Sequence, residues 1–143
     1  MFHRRQTLFF LIFISAIFSS YRCKAQKEGD SKIIVTVSNP ENVYVRLKDI
    51  LIRANFYVKD LSIRDSIITY PTDFNGVYVI GIASIKGNTV TLSGTYGLKK
   101  INDWGYTVSP KSYEKIIYYK GNREWRILRD IATLLGGDIV YER

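Results

Sequence analysis

The side chains that most often do chemistry are scarce in this sequence and poorly placed for it. The only histidine, His3, and the only cysteine, Cys23, fall within the first 25 of 143 residues. A chain without that stretch has no imidazole base and no thiol nucleophile, and it loses the usual zinc and copper ligands with them. Calcium needs clustered oxygen ligands, and no Asp-x-Asp-x-Asn-Gly loop occurs. Gly94 and Gly97 lack both the spacing and the following helix of a phosphate loop. Ser112-Tyr113-Glu114-Lys115 has the Ser-x-x-Lys spacing in which a lysine activates a serine, without the companion motifs of such enzymes. Tyr96 and Lys100 have the Tyr-x-x-x-Lys spacing of short-chain dehydrogenases, without a nucleotide-binding unit. Asp60, Asp65 and Asp73 are the acids near enough in sequence to form a glycosidase-type carboxylate pair. Aspartates at turns and strand edges more often serve as solvated turn-formers. The expectation is a protein that is not an enzyme and uses no cofactor or metal.

Binding chemistry is better represented. Between residues 97 and 113 the sequence gathers Lys99, Lys100, Trp104, Tyr106, Lys111 and Tyr113. Amphipathic rings beside cations suit a protein interface or a phospholipid headgroup layer. The competing role for Trp104 and Tyr106 is to anchor their own loop onto the sheet. Nucleic acid is not an expected partner. The formal charge is +8, but four of the 21 basic residues (Arg4, Arg5, Arg22, Lys24) lie in the first 25 positions. The remaining 17 basic and 13 acidic residues are intermixed and leave +4, which is no basic footprint.

The elements that must position these residues are readable from periodicity. Lys32–Val37 is rich in β-branched residues and predicts a first strand after a frayed polar leader, 26–31. Ser38-Asn39-Pro40-Glu41 predicts a helix start, with Pro40 in the first turn and Ser38 and Glu41 at capping-box spacing. Val43, Leu47, Ile50, Leu51 and Ala54 then form one apolar helical face. Phe56–Ile63 and Ser66–Tyr70 predict one interrupted strand or two short ones, closed by Pro71. After a turn at 73–76, Val77–Lys86 is apolar in both alternation sets, which predicts a central strand covered on both faces, at least in part. Thr89–Tyr96 alternates with Val90, Leu92 and Tyr96 inward, as in a hairpin with a wet outer face. Gly97–Ser112 predicts the longest irregular stretch, followed by a short strand at 116–119. Asn122 predicts the cap of a second helix with Trp125, Leu128, Ile131, Ala132 and Leu135 inward, ended by Gly136-Gly137, before a final extended segment. The order is β-α-β-β-β-(β)-α-β. The predicted class is α+β, an antiparallel sheet with two helices packed on one face, in a single domain over 32–143.

The N-terminus has the layout of a secretory signal peptide. Arg4 and Arg5 precede an apolar core from Leu8 to Phe18, and small residues stand at Cys23 and Ala25, which predicts cleavage before Gln26. That core is about half the ~20 residues needed to span a bilayer, which disfavours a retained anchor. Lipidation of Cys23 is disfavoured by the bulky, charged Arg22 before it. The expected location is therefore periplasmic or secreted. Export without cysteines leaves stability to the hydrophobic core rather than to disulfides.

Three stretches carry a resemblance. They are the capped first helix running into Phe56-Tyr57-Val58-Lys59-Asp60, the strand closing on Ile67-Ile68-Thr69-Tyr70, and the late helix from Trp125 through Ala132 followed by Gly-Gly and a strand. In these the sequence resembles small exported bacterial domains of TATA-box-binding-protein-like fold. One such group is a Bacteroides-type secreted family; a more distant one is the BamC-type outer-membrane assembly lipoprotein domains. The resemblance implies a fold and an envelope address, and no set of functional residues. The functional expectation is an exported, non-enzymatic envelope protein acting as a protein-interaction or assembly module, with envelope proteins as partners. The alternative is a small-molecule or lipid carrier with a groove between sheet and helices.

Overall fold

Two long strands, β5 (Val77–Lys86) and β6 (Thr89–Leu98), form an antiparallel pair in continuous register from Val77 opposite Leu98 to Lys86 opposite Thr89. The computed structural model describes residues 25–59 and 65–143. The predicted signal segment up to Lys24, and Asp60, lie outside the described residues. Strand β1 (Lys32–Thr36) pairs with β6 on one side and with β10 (Asp138–Glu142) on the other. On the far side of β5 lie β3 (Ser66–Thr69), β4 (Thr72–Asp73) and, outermost, β2 (Val58–Lys59). The sheet order is β10-β1-β6-β5-β3-β2, with β9 (Glu114–Lys115) also against β6, and every pairing is antiparallel. This is the predicted α+β class.

Helices α1 (Val43–Arg53) and α2 (Arg123–Leu135) bury one apolar face each, Val43, Leu47 and Leu51 on the first and Trp125, Leu128, Ile131, Ala132 and Leu135 on the second. They meet the sheet face made by Ile33 and Val35, Val90 and Leu92, Val79 and Ala83, and Ile67 in one core. Trp125 packs between the rings of Tyr118 and Tyr141, at 5.8 and 6.0 Å, and its indole N–H donates to Gln26 Oε1 at 2.9 Å. Asn122 caps α2 as predicted, its side-chain oxygen accepting from the Trp125 N–H at 2.9 Å.

Three expectations need correction. First, α1 starts later than Pro40, and Ser38 and Glu41 form no capping box. Asn39 Oδ1 instead accepts the Glu41 N–H at 2.9 Å, and Asn42 takes the N-cap position in the left-handed region, at φ 58°, with no side-chain cap bond. An Asx turn closed by Asn39 competes directly with a cap closed by Ser38. Second, the leader 26–31 is docked, not frayed. Asp30 and Ser31 are buried, and the backbone of Gly29, Asp30 and Ser31 bonds to Tyr118 and Glu142. Third, 116–119 is not a strand; the pairing falls on Glu114 and Lys115, and Ile116 drops into the core. Strand β5 is covered closely on one face and only in part on the other, where Tyr78 and Ile80 are half-buried, as its two apolar sets predict. Val79 and Ala83 are buried, whereas Ile82 on the opposite face is 37% exposed. Both helices lie on the first face, and the second is overlain near Gly97, where Pro110 sits so close that a Cβ would overlap it.

The edge beside β5 contains a bulge. Ile68 pairs with Ile82 and Thr72 with Val79, so three residues of the edge oppose two of β5. Pro71 has no N–H to offer a ladder, which places it naturally in that gap. The Thr69 hydroxyl, fully buried, fills in by accepting the Gly81 N–H at 2.9 Å. Thr69→Val keeps the shape but orphans that N–H, and urea denaturation should show a loss of roughly 1–3 kcal/mol. A loss below about 0.5 kcal/mol would contradict this role for the hydroxyl.

Candidate interaction surface

Residues 97–113 are more ordered than their composition predicts. After β6 the chain forms a separate two-stranded hairpin, β7 (Lys100–Ile101) against β8 (Thr107–Val108). Asn102 organises its turn. The Asn102 side-chain oxygen accepts the N–H groups of Trp104 at 3.1 Å and Tyr106 at 2.8 Å. Its backbone accepts from the Gly105 N–H and donates to the Tyr106 carbonyl, both at 2.9 Å. Gly105, at φ 78°, supplies the left-handed residue that such a turn requires. The Asn-Asp-Trp-Gly run carries this turn signal, with Asn first and Gly fourth, although the segment as a whole reads as irregular.

The hairpin stands clear of the body, and every residue from Lys100 to Ser109 is exposed. Trp104 is 84% exposed and Tyr106 71%, so neither anchors the loop on the sheet. Leu98, Ile101 and Val108, which the sequence reading did not single out, add apolar surface beside them.

The six predicted site residues divide three ways. Lys100, Trp104 and Tyr106 share the hairpin. Lys111 and Tyr113 lie on the returning segment, Lys111 exposed and Tyr113 half-buried. Lys99 is committed to the fold at the hairpin base. Its ammonium contacts Asp73 Oδ2 at 2.9 Å, and its backbone N–H donates to the Gly76 carbonyl at 2.9 Å. Asp73 Oδ1 accepts in turn from the Gly76 N–H at 2.8 Å. Asn75 and Gly76, at φ 53° and 94°, form the tight turn that brings Asp73 into position.

Of the spacing matches for catalysis, the carboxylate pair is separated by the fold and the Tyr96 phenol is engaged elsewhere. Asp65 lies beside Ile85 and Asp73 beside Tyr78, at opposite ends of β5. The Tyr96 hydroxyl bonds to Glu114 at 3.1 Å, and that contact, with some desolvation, pushes the phenol pKa up, away from a phenolate base. Among the described residues no three His, Cys, Asp or Glu side chains are grouped to hold a metal, and no helix is long and apolar enough to cross a membrane. No family model, curated protein or solved structure matches the chain.

The Lys99 hydrogen bond, helped by the Gly76 N–H, holds the Asp73 carboxyl below the ordinary carboxylate range, and Asp73 raises Lys99 in return. The clamp is complete at neutral pH. It weakens as pH falls through the lowered Asp73 pKa, or rises through the raised Lys99 pKa. Lys99→Ala should move the Asp73 carboxyl titration, followed by carbon NMR, up toward the ordinary value. An unchanged titration would contradict the clamp.

Proposed function

We propose that this chain is an exported, non-enzymatic envelope protein that works by docking, as an interaction or assembly module, with the β7–β8 hairpin as its contact. The observation that carries the reading is Trp104, 84% exposed at the tip of a turn tied at both of its ends by Asn102. Exposed indoles on preorganised turns are typical binding anchors, because little side-chain or backbone freedom is lost when they are covered. The signal-peptide layout and the resemblance to envelope families support the address.

The packing favours docking over a carrier. The space between sheet and helices is occupied by Leu47, Leu51, Trp125, Leu128 and Ile131, all buried. A groove there would have to displace them.

In-cell photo-crosslinking tests the reading. A benzoylphenylalanine at position 104 should form discrete adducts, and one at Asp130, on the exposed face of α2, should not. Equal adducts at both positions, or none at 104, would contradict it.

A further inference from the structure

A second unpartnered apolar feature lies away from the hairpin, between the end of α1 and the sheet edge. Ile52, Asn55, Phe56, Tyr57, Val58 and Tyr70, with Lys48, line a shallow cleft of about 590 Å³. Its walls are fixed by backbone geometry on both sides. Asn55, at φ 65°, ends α1 with its N–H on the Ile52 carbonyl while the Phe56 N–H reaches Leu51, a Schellman closure that buries Phe56 and turns Tyr57 outward. The β3–β4 bulge sets Tyr70 opposite, its N–H on the Tyr57 carbonyl at 2.7 Å. Tyr57 is nevertheless 72% exposed and Tyr70 53%. The Lys59 ammonium stands 5.1 Å from the Tyr70 ring centre and makes this rim cationic.

We infer that the cleft receives the hairpin tip of a second copy of this chain. The inference rests on the hairpin being the docking element and names its partner. The two features are complementary in form, a projecting Trp104 and Tyr106 against an open aromatic and aliphatic cleft. They are also complementary in charge. Asp103, beside Trp104, is the one acid between residues 100 and 109, while Lys48 lines the cleft and Lys59 stands at its rim over Tyr70. That same carboxylate, in the turn at the tip while Lys100 is paired with Val108 away from it, disfavours an anionic lipid surface as the occupant. Exposed Tyr57 and Tyr70, which play no part in lipid docking by the hairpin, are accounted for at the same time. Within one molecule Trp104 remains exposed, so the pairing is between copies. Because the two patches differ, the contact is heterologous and adds copy to copy head-to-tail. A contact led by two rings is small, and its Kd should lie roughly between 10 μM and 1 mM.

Sedimentation equilibrium of the protein, purified as its cell exports it, tests this with two variants. Trp104→Ala removes the tip, and Ile52→Glu blocks the cleft at an exposed helical position; circular dichroism confirms that both are folded. The wild type should associate with rising concentration and each variant alone should stay monomeric. Their equimolar mixture should give a dimer and nothing larger, since one intact tip and one intact cleft remain. Asp103→Lys should weaken wild-type association roughly threefold to tenfold, and adding Lys59→Glu should restore most of it. A wild type monomeric to 1 mM, or a mixture that fails to pair, overturns the inference. So does Trp104-dependent co-sedimentation with phosphatidylethanolamine–phosphatidylglycerol vesicles in place of self-association. Position-104 adducts to a different protein, with no self-association, would overturn this inference and leave the docking reading standing.

Discussion

The continuous β5–β6 ladder is the constraint from which the rest of the molecule hangs. It runs from Val77 opposite Leu98 to Lys86 opposite Thr89, and each of its strands is a template on its outer edge. Strand β6 recruits β1 and β9, and β5 recruits β3 and β4. The helices then have a single sheet face to cover, because alternate residues of both long strands are apolar on that side. Gly81 and Gly94 face each other across this pair, and the missing side chain of Gly94 leaves room for the Ile80 carbonyl and for Ile116, which a Cβ there would crowd. A strained or shortened ladder would disturb the bulge and the helix packing together.

The ladder also decides where the exposed chemistry lies. Beyond Leu98 the chain leaves the sheet at the end where β4 turns into β5, so Lys99 meets Asp73 and the hairpin starts from a pinned base. Pro110 then lands on Gly97, which has no side chain to resist it, and the chain returns to pair at Glu114. Two fixed points hold the segment between them away from the core. Its apolar side chains have nothing of their own molecule to cover them. The cleft beside α1 arises similarly, from a helix end and a bulge that each turn a tyrosine outward. Both features are by-products of local backbone closure, and this is why they can be rigid while remaining exposed.

Much of the fold was legible because it rests on period and on capping. The α2 face, the Asn122 cap and the β5 boundaries follow from apolar spacing and turn residues, and the structure has them there. The start of α1 was misread because Ser38, Asn39 and Asn42 are all competent caps, and only three-dimensional context selects among their competing hydrogen bonds. Partial cover of the second β5 face is legible in Tyr78, Ile80 and Ile82, of which the first two are half-buried and the third exposed. A half-open antiparallel face tolerates such residues, so alternation alone does not say how far each is covered. The docking of 26–31 depends on Tyr118 and Glu142, far away in sequence, and no local pattern announces it. In the candidate site, the aromatic and cationic residues were visible as composition. The division of labour was not, since only the Asp73 turn shows that Lys99 is structural while Lys100 is exposed. Tyr57 and Tyr70 fall in predicted strands, Ile52 lies outside the predicted helical face, and the three form a surface only through the Asn55 closure and the Pro71 bulge.

The central claim is that Trp104 is presented by an ordered hairpin, held out from the body at its base and fixed at its turn by Asn102. Amide ¹⁵N relaxation tests it most directly. The account predicts order parameters for the Asn102–Tyr106 amides close to those of β5 and β6, about 0.8 or above, as for rigid backbone. Values below about 0.6 across the turn would mean a freely moving loop, and the contradiction would be complete.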